Sequence, residues 1–372
     1  MQKVAIVTLY KDNFGSILQA YSTYHYLSTL GYHCDLLKQK WENSFFDKIS
    51  RLPKLIFKSI RYKDFLKDYL KSKKSSTEDL NLLSTKTKEL MNEFVNSNFT
   101  ITIVDSDHPE KVKDNYDFFI TGSDQVWNGY DRFKFLEFAD VTKRIAFAPS
   151  FGSTVKDYNK ANVKKGLMGF DKLSVREESG VKIVRDLTGR DATRLADPTL
   201  LLSKIEWKQF SEIGRQEQNY ILLHFLNKPN DIAINTINEY LQIHDCDAYC
   251  ICNNYEEYNK LLRHEFIDIG PHDYVSLIYN ASFVFTDSFH STLFSLNLET
   301  KFLTFERQYL HGNSQSSRIT DLLNRVDMPE CYFKGSYDFD FTQLGTWESA
   351  RIFDGERMKM KNYLEEMLGR RA

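Results

Sequence analysis

The 372-residue chain is short of the residues that punctuate or staple small folds. Glycine fills 16 positions and proline 7, well under the usual ~7% and ~5%, which excludes collagen-like, low-complexity and disordered chains. Cysteine occurs five times, an odd number, with Cys246, Cys250 and Cys252 clustered and Cys34 and Cys331 far away, so a secreted disulfide framework is excluded. No stretch approaches the ~18 uncharged apolar residues of a membrane span, and the apolar run within Met1 to Tyr10 lacks a signal-peptide cleavage site. Net charge is nearly absent as well. The 49 Lys and Arg against 51 Asp and Glu give −2, which excludes a polyanion-coating surface and leaves room for a local basic patch. The expectation is a cytoplasmic protein that binds no nucleic acid.

What the chain does have is length and aromatic residues, 14% of the total. It is two to three times the usual domain of ~100–200 residues, which predicts two domains with a large buried core. Val4 to Tyr10 is an apolar run of strand length, and Lys11 to Gly15 is turn-rich. Ile17, Leu18, Tyr21, Tyr24 and Leu27 then recur at helical spacing, and His33 to Leu37 predicts the next strand. Residues 42 to 98 interrupt this βαβ opening. Between Phe45 and Lys74, ten basic residues face three acidic ones, with apolar residues threaded through at helical spacing. The sheet resumes at Asp117 to Thr121, Arg144 to Ala148 and Leu173 to Val175, with Ala192 to Leu195 a further candidate. A second series of strands and helices runs from Asn219 to Phe305. The prediction is an α/β fold with an N-terminal domain over 1–205, carrying a helical insertion at about 42–98, a C-terminal domain over 206–345, and a final helix over 346–372.

Five segments carry candidate chemistry. In Phe285 to Ser295 a buried strand ends at Asp287-Ser288-Phe289-His290, and Ser291-Thr292 is expected to cap a helix. Ligands bind at the carboxyl ends of parallel strands, and an imidazole there suits proton transfer near neutral pH. The plainer alternative is a histidine that only hydrogen-bonds Asp287 or a carbonyl. In Phe118 to Trp127 a strand exits into Gly122-Ser123-Asp124-Gln125, which is either a polar sheet edge or a simple capped turn. The opening turn brings Asn13 and Gly15 to the start of a helix that carries Gln19. Arg176 and Glu177 follow another strand, and Arg318 lies in Asn313 to Leu323. A guanidinium fork at either place suits a carboxylate or phosphate, with a surface ion pair as the alternative. His244 with Cys246, Cys250 and Cys252 does not have zinc-knuckle spacing, and no metal is expected.

Taken in order, these motifs resemble the polysaccharide pyruvyl transferase family. The resemblance rests on Asn13-x-Gly15 with Leu18-Gln19-Ala20-Tyr21, FITGSDQVW, Ala148 to Gly152, SVREESG, Asp197-Pro198-Thr199-Leu200-Leu201, Gly270-Pro271, TDSFH and Ser317-Arg318-Ile319. It implies two Rossmann-like domains facing a cleft, as in GT-B glycosyltransferases. The implied chemistry moves pyruvate from phosphoenolpyruvate, a co-substrate with no further cofactor, onto a sugar diol of an oligosaccharide or lipid-linked glycan as a cyclic ketal, releasing phosphate. In these terms His290 is the general acid/base, oriented by Asp287. Arg176, Arg318, Ser288 and Ser291 bind the donor. Asn13, Gly15, Gln19, Ser123, Asp124, Gln125 and Glu177 bind the acceptor. The chain departs from the family at Ser291, where glycine is usual, and at Ser288, where many members carry arginine, so Arg176 or Arg318 must supply that cation. A nucleotide-sugar glycosyltransferase and a noncatalytic glycan-binding protein are the alternatives. The basic segment 45–74 is expected either to contact an anionic membrane at its inner face or to pack as a helical pair over the cleft with solvated lysines.

Overall fold

A computed structural model describes residues 1–40, 62, 83–152, 154–307, 316–333 and 347–369. Apart from Tyr62, the basic segment 45–74 lies outside the described residues, and with it both expectations placed on that segment. Strands β1 (Lys3–Val7), β2 (His33–Lys40), β3 (Ile101–Asp105), β4 (Phe118–Thr121) and β5 (Arg144–Ala146) form a parallel sheet in the order β3-β2-β1-β4-β5. A second parallel sheet uses β8 (Tyr220–His224), β9 (Asp247–Ile251), β10 (Glu265–Phe266), β11 (Phe283–Thr286), β12 (Phe302–Phe305) and β13 (Tyr332–Phe333) in the order β10-β9-β8-β11-β12-β13. Both are Rossmann-like α/β sheets. The strand order reverses between β1 and β4 in one and between β8 and β11 in the other, the switch points where such sheets open a crevice. A pair of short parallel strands, β6 (Ser174–Val175) and β7 (Thr193–Arg194), lies beyond β5, where the Arg176 N–H donates to Pro149 O at 3.2 Å.

The central strands are buried on both faces, which is why Val4 to Val7 and Tyr220 to His224 are near-continuous apolar runs. Ten helices are described. They are α1 (Phe14–Thr29), α2 (Thr85–Asn98), α3 (Asp157–Met168), α4 (Glu178–Thr188), α5 (Lys204–Ser211), α6 (Asp231–Ile243), α7 (Pro271–Asn280), α8 (Phe289–Leu298), α9 (Ser316–Arg325) and α10 (Trp347–Met367). A single apolar cluster joins the two sheets through α1. Phe14 stacks on Tyr274 at 4.7 Å, and Tyr21 meets Trp207 and Phe210. Helix α10 clasps both halves. Its Tyr363 hydroxyl donates to Ala146 O at 3.0 Å in the first sheet, its Glu356 pairs with Arg194, and its Ser349 hydroxyl donates to Leu296 O in α8. Among the described residues no helix is long and apolar enough to cross a membrane.

One expected boundary moves. Helix α8 begins at Phe289 with Ser288 as its N-cap, and Ser291-Thr292 does not cap it. The cause is local: Thr286 Oγ1 accepts the Ser288 N–H, and Ser288 Oγ accepts the Ser291 N–H, so the turn closes three residues earlier. His290 therefore stands in the first turn of the helix.

Candidate functional site

The two switch points face each other. From the first sheet come the start of α1 and the turn after β4; from the second comes the start of α8. The Asn13 carboxamide caps α1 by accepting the Ser16 N–H at 3.2 Å. That cap brings Gly15 against the His290 imidazole so closely that a Cβ at Gly15 would lie 2.0 Å from Nδ1. Asp124 has a left-handed backbone (φ 59°) and accepts the Ser16 hydroxyl at 2.5 Å. Burial alone would raise its carboxyl, but the charges of His290 and Arg176, the Ser16 hydrogen bond and Arg318 hold it below the usual range.

Behind the imidazole lies an ion-pair cluster. His290 Nε2 is buried and stands 3.4 Å from Asp197 Oδ2, an ion-pair distance without hydrogen-bond alignment. The same oxygen accepts Arg176 Nη1 at 2.8 Å, while Arg176 Nε donates to Glu177 Oε1 at 2.9 Å. Glu177 Oε1 also accepts the Ser150 hydroxyl at 2.7 Å. Burial works against every charge here. The neighbours nonetheless outweigh it: Glu177, Asp197 and Asp124 keep Arg176 charged, and His290 and Arg176 hold the Asp197 carboxyl far down. The Phe289 ring is flanked by two guanidinium groups, Arg176 at 4.9 Å and Arg318 at 5.6 Å from its centroid. Burial and the like charge of Arg176 bring Arg318 down to about 10, so it stays cationic at neutral pH. Arg176, Glu177, Asp197, Phe289, Arg318 and Arg325 line a cavity between the two halves, closed on one side by Phe353 and Glu356 of α10.

Several residues expected at the site have other tasks. Asp287 does not hold the imidazole. Its carboxylate accepts the Leu226 and Asn227 N–H groups at 2.7 and 3.0 Å and lies 3.5 Å from Arg307 Nε. Burial raises its carboxyl, with Arg307 and those N–H groups only partly offsetting this. The carboxylate beside the imidazole Nε2 is that of Asp197 instead. The Ser291 hydroxyl is fully buried between His224 Nδ1 at 2.5 Å and the Tyr274 hydroxyl at 2.9 Å. Gln19 Nε2 staples the turn after β1 by donating to Thr8 Oγ1, Leu9 O and Ser16 O. Ser123 is buried, and its carbonyl accepts the Thr8 hydroxyl at 3.1 Å. Gln125 packs against Gly152, where an added Cβ would come within 2.5 Å of Oε1. The residues that converge are thus Gly15, Asp124, Arg176, Glu177, His290 and Arg318. Ser16, Asp197 and Phe289 join them without having been expected. Ser16 follows the Asn13-x-Gly15 motif directly, so its place at the helix start was the available signal.

No curated protein sequence matches the chain. Solved structures with a similar overall course include a putative UDP-N-acetylglucosamine 2-epimerase from Listeria monocytogenes, at 9% identity and TM-score 0.49 over 98% of this chain and 97% of that one. Arabidopsis thaliana UGT89C1, complexed with UDP-L-rhamnose, has 12% identity and TM-score 0.47 over 99% and 94%. UDP-GlcNAc 2-epimerase from Neisseria meningitidis, bound to UDP-GlcNAc, has 10% identity and TM-score 0.45 over 96% and 100%. The sequence model of one family, described as polysaccharide pyruvyl transferase, matches residues 13–309, from the cap of α1 to just past β12. The start of α1, the turn after β4 and the start of α8 fall inside that span, and the chain belongs to the polysaccharide pyruvyl transferase family.

Proposed function

We propose that the protein transfers pyruvate from phosphoenolpyruvate to two hydroxyls of a glycan, forming a cyclic ketal and releasing phosphate. The family is one of transferases. The observation that carries the finer reading is the meeting of His290, Asp124 and Arg176 between the two switch points, with Arg318 across the Phe289 ring. The donor bears a carboxylate and a phosphate of about −1.5 to −2 charge, which Arg176 and Arg318 suit. Carbon three of the donor gains one proton while two sugar oxygens bond to carbon two and the C–O bond to phosphate breaks. The two hydroxyls release two protons, one matched by the new methyl hydrogen and one leaving with phosphate. His290 is placed to relay the first, and the ionised Asp124 to accept from a sugar hydroxyl.

The test is to incubate the protein with phosphoenolpyruvate and candidate glycans, measuring inorganic phosphate and the mass gain of a pyruvate ketal. His290→Ala is expected to lower turnover by at least about a hundredfold with the fold intact. Wild-type turnover in that variant overturns the role of His290. Turnover of a nucleotide sugar, with no phosphate released from phosphoenolpyruvate, overturns the reaction.

A further inference from the structure

Asp197 opens the Asp197–Leu201 motif, to which the sequence attaches no chemistry. Its carboxylate is divided between two tasks. Oδ1 caps the short helical turn Pro198–Leu201, accepting the Thr199 N–H at 3.0 Å and the Thr199 hydroxyl at 2.9 Å. That fixes the side chain, which is fully buried, and leaves Oδ2 for Arg176 Nη1 and His290 Nε2. Other groups around the ring come from separate elements. Asp124 follows β4, His224 ends β8, and Arg176 and Arg318 complete the charged set. On the far side of the ring, Nδ1 lies over Gly15.

We infer that Asp197 is a positioning residue: its Oδ2 keeps the His290 ring protonated on Nε2, so that Nδ1 is the nitrogen that exchanges a proton with the ligand, and it anchors Arg176 to the same point. The physical ground is that the tautomer of an imidazole is set by the hydrogen bond its other nitrogen makes. The 3.4 Å contact is an ion-pair distance without hydrogen-bond alignment, and an ionised carboxylate there favours the proton on the nitrogen that faces it. The Asp197 side chain is fully buried, and with burial opposed by His290 and Arg176 its carboxyl remains ionised. Anion grip and proton transfer then share one anchor, so a donor pulling on Arg176 also acts on the ring. The catalytic consequence rests on the transfer reaction proposed above; the tautomer does not.

Asp197→Asn separates the two tasks, because the amide oxygen can keep the Thr199 cap while the charge on the other side is lost. Nitrogen-15 spectra of labelled histidines, with His290→Ala identifying the resonance, are expected to show the Nε2–H tautomer in the wild-type protein. In the Asn variant the ring is expected to shift toward Nδ1–H. In phosphate-release assays kcat is expected to fall by about 10²- to 10⁴-fold. A wild-type ring protonated on Nδ1 overturns the inference, as does a folded Asn variant with the wild-type tautomer. If the Asn variant does not fold, the wild-type tautomer decides. If the wild-type protein releases no phosphate, the transfer reaction fails while the spectra still decide the role of Asp197.

Discussion

The absence of one side chain decides where the imidazole lies. Gly15 has no left-handed backbone to justify it; what it provides is room, since a Cβ would stand 2.0 Å from His290 Nδ1 and 2.2 Å from Cγ. Gly15→Ala would suit the helix better by about 1 kcal/mol, yet its Cβ must displace the ring. Displacement of a reacting group by about an ångström can cost a hundredfold, so we expect turnover to fall by that order while the circular dichroism spectrum stays native. Unchanged kcat in a folded variant would show that the ring's position over Gly15 does not matter to the reaction. His290, Asp124 and Arg176 were legible in the sequence because chemically capable residues directly follow apolar runs there. Asp197 was not, because its partners stand 21 and 93 positions away and only the fold brings them to one oxygen. Asp287 misled for the converse reason. Its nearness to His290 in sequence suggested contact, but the helix turn sends its carboxylate back to the Leu226 and Asn227 N–H groups.

At the level of elements, the strands with apolar runs announced themselves, whereas β3, β10 and β13 did not. Edge strand β3 alternates with Ile103 62% exposed, so it lacks the unbroken apolar run of β1. Strands β10 and β13 are two residues long, too short for any periodicity to register. Helix α3 buries only Val163, Gly166 and Leu167, and its pattern is correspondingly weak. Helix α10 was legible as a helix from its apolar spacing, while its action as a clasp needed the fold: Met360 and Leu364 are fully buried, and Tyr363 reaches Ala146. Leu364→Ala removes core volume from the clasp with no cleft residue altered, and is expected to cost about 2–5 kcal/mol. Denaturant midpoints with the slope unchanged would measure that loss. A variant as stable as the wild type would mean that α10 is not bound tightly to the core.

For the whole molecule, the continuous core through α1 makes the two sheets one folding partner to each other, and acid tests that partnership. His224 sits at the centre of the second sheet, its ring between the Ser291 hydroxyl at 2.5 Å and Cys252 Sγ at 3.1 Å. Burial, with the charges of Arg307 and His290, drives its pKa from 6.5 down to about 3. Its folded pKa is depressed, so the stabilisation is complete above about pH 6.5 and is lost as pH falls toward 3, where the unfolded chain binds a proton that the folded one refuses. Asp124 and Asp197, also depressed, extend the loss below the normal carboxyl range, whereas Asp287, raised by burial, acts with the opposite sign. Urea midpoints are therefore expected to fall steadily from pH 7 to pH 4. His224→Asn should be less stable at pH 7, because it loses packing and a hydrogen bond, yet show a shallower decline across the same interval. Parallel declines in the two proteins would place the acid loss on the carboxylates and remove His224 from the account. A shallower one would locate the first step of acid unfolding beneath the start of α8, where loss of the Ser291 contact frees the helix that carries His290.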